Sequence, residues 1–355
     1  MKNKSMDPYQ VKFFDENDKK QYQHFLKLND HFLWYVSLEY KHLLENYLNV
    51  KSIYILVKKG NEIIGCLPLM QSSNNTYGAI LNSLPFYGSN GGFLIDKNHL
   101  IKEGTQIMRL MLKSLLSYIK KNNIGAITLI TSPFDNLSKE FLEDNFKFTF
   151  SDFRIGQITP LPAKSDDLMA KFENPRPRNI RKAIKSKVKI RQSNSNEDFD
   201  FLASTHQQNI QSIGGQSKTK LFFEYIKKII PKEKYTIFVA EIEGKRVAAL
   251  LLFYFNKTVE YFTPCTVFEY RNLQPSSLLI YEAMKDAIEK KLKYWNWGGT
   301  WESQKGVYEF KKKWGAEDKK YFYYSKILNF NIYKQSTDEL MKLYPNFYIY
   351  PFNKN

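Results

Sequence analysis

Cysteine is almost missing: Cys66 and Cys265 are the only two in 355 residues. They lie far apart and outside any C-x-x-C spacing, which excludes a disulfide framework and argues against structural zinc. Long apolar runs are missing too. The longest, Val247 to Phe255, has nine residues, about half of the ~20 that a membrane span needs. The segment Met1 to Pro8 runs into polar sequence without the apolar core of a secretory signal, so the expected compartment is the cytoplasm. The histidines, His24, His31, His42, His99 and His206, form no H-x-x-x-H or mixed Cys/His spacing, so no metal site is expected. A Walker A loop, a G-x-S-x-G elbow and a kinase motif set are likewise lacking. No tightly bound cofactor is expected.

Negative charge is in deficit. Against 53 Lys+Arg there are 36 Asp+Glu, a net charge of +17. Such a surface favours polyanions: RNA, nucleotide-linked sugars or anionic lipid head groups. The apolar and aromatic content, 43% and 16%, is enough to fold. The length suggests two domains of about 150 residues each.

The order of elements repeats. In the first half, helices near Lys19–Asn29 and Leu38–Leu48 precede strands at Ser52–Lys58 and Glu62–Met70, joined by the Lys59-Gly60-Asn61 turn. A loop of turn formers, Leu84 to Gly92, leads to an amphipathic helix, Glu103–Lys121, with Ile107, Leu110, Met111, Ser114, Leu115 and Ile119 inward. A buried strand, Ala126–Ile130, closes the half. In the second, strands Tyr235–Glu241, Val247–Phe255 and Thr258–Pro264 precede a helix, Ser276–Leu292, and a strand, Tyr294–Trp297. Two tandem α/β domains with mixed sheets follow from this repeat. Gly214-Gly215 follows a helix and reads as its C-cap.

Between the halves, Lys171–Arg191 holds nine basic residues and one acid, Glu173. Pro175 and Pro177 end any preceding helix. A helix from Arg178 to Lys187 would then place Arg178, Arg181, Lys182 and Lys185 on one face. Like charges at that spacing repel, so an anionic partner is a reason for the pattern. A solvated interdomain helix is the plainer reading.

Four of the five tryptophans, Trp295, Trp297, Trp301 and Trp314, crowd into one short stretch. Within it, a strand ends in Gly298-Gly299, where a ligand can approach the backbone because no Cβ stands in the way. Phe310 and Lys311 follow on a short helix. That lysine can hold an anion or support an oxyanion. An aromatic core plug explains the tryptophans, but not the glycines.

The order Arg178-Asn179-x-Arg181-Lys182-Ala183, Pro275-Ser276-Ser277-Leu278-Leu279, Trp297-Gly298-Gly299 and Gly306-x-x-x-Phe310-Lys311-x-x-x-Gly315 resembles the FemABX-type transferases. Ile63 to Leu69 and the Leu84-Pro85-Phe86 loop with Gly91-Gly92 extend the likeness into the first half, so that it spans roughly residues 20 to 328. The resemblance implies α/β architecture with two tandem GNAT-like (acyl-CoA N-acyltransferase-like) domains: residues 1–160, a basic connector 161–191, a catalytic domain 192–328 and a tail 329–355. We expect this tail to pack on the second domain.

The resemblance further implies transfer of an aminoacyl or acyl group onto a primary amine of a cell-envelope precursor, such as one for peptidoglycan, or of a glycan intermediate. Phe310 and Lys311 would be the reacting-site pair. Glu302 is a candidate proton acceptor and Tyr281 a candidate donor. Arg178, Asn179, Arg181, Lys182, Gly298, Gly299, Trp301, Tyr308 and Ser276 would bind substrate. The donor is an aminoacyl-tRNA or an acyl thioester. The expected partners are an anionic small molecule or a glycan or peptide substrate, with tRNA on the donor side, no DNA, and peripheral contact with the inner membrane.

Two features separate this chain from relatives of that kind. The helical-hairpin arm of several Fem enzymes has no counterpart between Leu202 and Pro231. The glycine-rich pyrophosphate loop of acyl-CoA users is replaced by Arg271-Asn272-Leu273-Gln274-Pro275-Ser276, with no glycine and one N–H donor fewer at Pro275. An acyl-CoA-dependent amino-sugar N-acetyltransferase and a non-catalytic anion- or RNA-binding protein on the same fold remain the alternatives.

Overall fold

The computed structural model describes residues 8–84, 88, 91–134 and 136–349. The chain forms two compact units: residues up to Arg154 together with Lys320 onward, and Ile155–Lys319. No helix of the described residues is long and apolar enough to cross a membrane.

In the first unit, Tyr9–Phe13, Ile55–Lys59, Glu62–Leu67 and Leu94–Ile95 make an antiparallel sheet. A second sheet contains Ala79–Asn82 and Ile124–Ile130, which run parallel. Parallel neighbours need a crossover, and the helix Lys97–Lys121 supplies it. It begins six residues earlier than the spacing suggests, because Asp96 accepts from the Asn98 N–H (2.9 Å) and caps the first turn. Its buried stripe is Ile107, Met108, Met111, Leu112 and Leu115. Leu110, Ser114 and Ile119 lie half-buried at the margin.

Of the expected loop, Pro85 and Phe86 lie outside the described residues. Gly92 has φ +91°, and an added Cβ there would overlap the carbonyl oxygen of Ile130, so glycine is required.

The tail belongs to this first unit, contrary to the expectation that it packs on the second half. The Tyr344 hydroxyl donates to the Gly78 carbonyl (2.9 Å) and accepts from the Tyr77 N–H (2.9 Å). Asn82 and the Tyr348 backbone exchange two hydrogen bonds, at 2.7 and 2.8 Å. These bonds satisfy polar groups at the Gly78–Asn82 segment.

The second unit has a mixed sheet in the order Lys189–Ser193, Tyr235–Ile242, Lys245–Phe255, Thr258–Thr266, Tyr294–Thr300 and the part of Phe150–Pro160 from Ile155 on. Again one pair, Thr258–Thr266 with Tyr294–Thr300, is parallel and is linked by a crossover helix, Pro275–Glu289. Apolar side chains of both layers, among them Leu250, Leu252, Leu279, Ala283, Trp295 and Trp314, close a core with almost no exposed surface. Burial on this scale is the main stabilising term.

The basic helix runs Arg176–Lys185 rather than Arg178–Lys187. Pro177 sits in its first turn, where a missing N–H leaves no carbonyl unpaired, so the proline starts the helix instead of holding it off. At Gly214-Gly215 the Gly215 N–H donates to the Ile210 carbonyl (2.9 Å) and closes the helix Asn196–Gln211.

Candidate functional site

The parallel pair in the second unit does not stay together. Its ladder covers Thr258–Tyr294, Val259–Trp295 and Glu260–Asn296, and no further pairing of the two strands follows among the described residues. At the point of parting, Asn296 holds both strands. Its Nδ2 donates to Glu260 Oε2 (2.7 Å) and its Oδ1 accepts from the Gly298 N–H (3.0 Å). On the other edge of Tyr294–Thr300 the register shifts between Asn296 and Gly299, a bulge.

Gly298 takes φ +73°, which a side chain would strain, and a Cβ placed there would meet no atom within 4 Å. The glycine is therefore required by backbone conformation, and the space beside it is open.

The short helix Lys305–Lys312 lies against this bulge. Lys311 is 7% exposed, and its ammonium points into the protein. It donates to Thr300 Oγ1 (2.7 Å), to the Gly299 carbonyl (3.2 Å) and, at the limit of a hydrogen bond, to the Gly298 carbonyl (3.5 Å). Thr300 Oγ1 donates onward to Gln157 Oε1 (3.2 Å), and Gln157 Nε2 to the Tyr308 carbonyl (3.2 Å). All these acceptors are neutral. Burial without a carboxylate partner pushes the Lys311 ammonium down to a pKa of about 8.

Aromatic packing fixes the helix. The Trp297 indole N–H donates to Thr159 Oγ1 (2.9 Å), whose hydroxyl donates to the Trp314 carbonyl (3.1 Å). Phe310 stands edge-on to Trp297, centroids 6.0 Å apart. Arg176, at the start of the basic helix, lays its guanidinium on the Phe310 ring at 4.5 Å and near Trp314 at 5.7 Å. The sequence reading gave Arg176 no role of its own. Its signal was the Pro175-Arg176-Pro177 context, which fixes the backbone on either side of one arginine.

The other expected residues divide. Gly298, Gly299, Phe310 and Lys311 come together as the motif order suggests. Tyr308 joins them through its carbonyl, while its hydroxyl donates to Asp318 (2.7 Å) at the surface. The Trp301 N–H donates to Gln304 Oε1 (3.3 Å), and Glu302 is exposed.

Tyr281 contacts Phe172, centroids 6.4 Å apart, and the Lys285 ammonium, 5.4 Å from its ring, rather than Lys311. Arg178, Arg181 and Lys182 are exposed and Asn179 is half-buried. Ser276 bonds to Thr266 Oγ1 instead of capping its helix. The cap position belongs to Gln274, with φ +62°.

That cap decides what the turn can bind. The Gln274 N–H donates to the Arg271 carbonyl, Pro275 has none, and the Ser277 N–H donates to the Gln274 carbonyl. Three of these N–H positions are thus closed to a pyrophosphate, which needs a cluster of free N–H groups. Among the described residues no group of three His, Cys, Asp or Glu side chains is placed to hold a metal.

Residues 243–322 match the model of the FemAB family. The structure is similar to the crystal structure of FemX, with a TM-score of 0.71 and 15% identity over 92% of this chain and 99% of that one. It is also similar to a tandem GNAT protein from the clavulanic acid biosynthesis pathway, with a TM-score of 0.58, 10% identity, and 90% and 98% coverage. An acetyltransferase of the GNAT family from Colwellia psychrerythraea gives 0.52, 8%, and 90% and 100%. No curated protein matches the sequence. At these identities the likeness concerns the fold, two tandem GNAT-like domains with mixed sheets.

Proposed function

We propose that this FemAB-like chain of tandem GNAT fold is an N-acyltransferase whose chemistry lies in Ile155–Lys319. The observation that carries the reading is Lys311, a buried cation with only neutral partners, beside the open space at Gly298 where two parallel strands part. A charge held in such surroundings acts strongly on any negative charge that develops nearby.

In the reaction, a neutral primary amine attacks an ester or thioester carbonyl. The new N–C bond forms as the carbonyl π electrons move onto oxygen, giving a tetrahedral oxyanion. Collapse expels the alkoxide or thiolate, and the proton lost by the nitrogen goes to water or to that leaving group. Lys311 opposes the oxyanion's negative charge and, through the Gly299 carbonyl and Thr300, keeps the bulge in place. Glu302, an exposed carboxylate nearby in sequence, is the side-chain alternative to water as acceptor of that proton. Tyr281 contacts other groups and supports packing in this account.

The donor we favour is an aminoacyl-tRNA. Three of the four N–H positions in the turn Gln274–Ser277 are occupied or missing, which leaves too few for the cluster a CoA pyrophosphate would use, whereas Arg178, Arg181, Lys182 and Lys185 stand exposed on one helix. The acceptor we propose is an amine on a cell-envelope precursor or glycan intermediate. An acyl-CoA-dependent amino-sugar N-acetyltransferase is the competing enzyme reading.

Native mass spectrometry and thermal-shift titration, with acetyl-CoA and separately with bulk aminoacyl-tRNA, test this choice. Salt-dependent binding of tRNA, lost on charge reversal at Arg178 and Arg181, is the expected result. A coenzyme A complex at micromolar concentration without tRNA binding would overturn it.

A further inference from the structure

Arg176 is the cation of this site that the proposed chemistry does not use. Its guanidinium is stacked on Phe310 at 4.5 Å and lies 5.7 Å from the Trp314 ring. Its Nε is buried and has no hydrogen-bond partner among the described residues. Burial lowers its pKa from the ordinary arginine value, against a smaller opposing effect of Tyr261. Tyr261 is close enough to feel the charge, and its ring packs on Trp297 at 4.8 Å. Glu260, the acid next to it in sequence, is turned to Asn296 instead.

Stacking explains where the guanidinium lies. It does not explain a buried N–H donor with no acceptor, which destabilises a fold. A planar guanidinium held over a ring, with its Nε–H unpartnered, keeps a donor fork that matches a planar, two-oxygen anion. Charge counting narrows the class. The hydrogens of Lys311 already face Thr300, Gly299 and Gly298, so Arg176 supplies one positive charge in aromatic surroundings. A phosphate dianion or a pyrophosphate would leave surplus negative charge in a desolvated place.

We infer that Arg176 binds a monocarboxylate carried by a substrate, and so selects substrates with a carboxylate near the reacting group. This inference rests on the transferase reading for its placement, but its test does not need turnover.

The full chain, labelled with nitrogen-15 arginine, is titrated with N-acetylglycinate and, in parallel, with inorganic phosphate and pyrophosphate. Arginine Nε–H signals are followed by NMR, and the Arg176 signal is the one missing from Arg176→Lys. We expect N-acetylglycinate to shift that signal saturably. Calorimetry should show its affinity weakened about tenfold or more in Arg176→Lys, which keeps the charge but loses the fork. If Arg176→Lys fails to fold, Phe310→Leu identifies the signal through the lost ring current.

An unmoved signal, equal affinity in Arg176→Lys, or a response to phosphate or pyrophosphate in place of the carboxylate would overturn the inference. None of those results bears on acyl transfer. Conversely, a Lys311 variant with unchanged turnover would remove the transferase reading and leave a carboxylate-induced shift standing.

Discussion

Replacing Lys311 by methionine removes a charge that the fold holds at a loss. The ammonium has a pKa of about 8 against the ordinary lysine value of 10.5, because burial penalises the charge and no carboxylate offsets it. That difference corresponds to about 3 kcal/mol acting against folding at pH 7. Methionine removes the penalty but leaves the Gly299 carbonyl without its donor, a loss of about 1–3 kcal/mol. The two nearly cancel. Lys311→Met should therefore be within about 1 kcal/mol of the parent at pH 7, instead of losing the ~3–5 kcal/mol typical of breaking a buried ion pair.

The pH dependence has a defined sign. With the folded pKa below the unfolded one, the unfolded chain binds more protons between the two values, so the parent gains stability as pH rises through and above about 8. Between pH 7 and 9 the parent should gain about 1 kcal/mol on the variant, a comparison in which other titrating groups cancel. Guanidinium unfolding followed by tryptophan fluorescence reads this unit well, since Trp295, Trp297, Trp301 and Trp314 all lie in it. A variant weaker by more than about 3 kcal/mol, with a gap that does not change with pH, would show that Lys311 is an ordinary structural strut.

If the protonated lysine supports the oxyanion, kcat/KM should fall about tenfold per pH unit above about 8, after correction for the acceptor amine, and Lys311→Arg should abolish that fall; steady-state rates from pH 6.5 to 9.5 decide it. Converting Arg178 and Arg181 to glutamate should weaken tRNA binding and lower the slope of log K against log salt by roughly one to two, measured by filter binding. Gly298→Ala forces a side chain into φ +73°; a loss of about 1 kcal/mol in thermal unfolding is expected even though the space beside it is open.

Asp198 is a structural control away from the site. Burial alone would raise its carboxyl, but hydrogen bonds, with Arg191 first and Arg246 among the others, outweigh it and hold the group well below the usual range. Its stabilisation is present above about pH 4 and lost as pH falls below. Asp198→Asn should remove about 2 kcal/mol at pH 7, discounted for the part-exposed arginines, and flatten the acid limb of the stability curve.

How much was legible in the sequence depended on distance along the chain. Gly298, Gly299, Phe310 and Lys311 lie close together in one segment, and their types pointed to a strand ending in two glycines and the short helix that follows; the bulge at Gly298 shows only in the register shift between Asn296 and Gly299. Arg176 was not legible as a site residue because its meaning comes from Phe310, far downstream. The strand Phe150–Pro160 escaped periodicity because Asp152, Arg154, Gln157 and Thr159 are polar yet buried, each satisfied by a specific partner such as the 2.9 Å bond from Arg154 to Asp152. The tail was misassigned because two tyrosines, Tyr344 and Tyr348, attach it through hydrogen bonds to residues near the other end of the chain. The direction of Lys311 was also hidden. Its type suggested an anion holder or an oxyanion support without saying which way it points, and only the Thr300–Gln157 network shows the ammonium turned inward.

The central claim is that this chain makes an amide from an activated acyl group, with Lys311 opposing the oxyanion. The most direct measurement incubates the full chain with bulk aminoacyl-tRNA carrying radioactive amino acids and a mixed extract of amine-bearing envelope precursors. Mild alkali then hydrolyses remaining ester and spares amide. The account predicts alkali-resistant label in the precursor fraction with the parent protein, and a loss of at least about a hundredfold with a folded Lys311→Met. No transfer by the parent, or equal transfer by the variant, would contradict it.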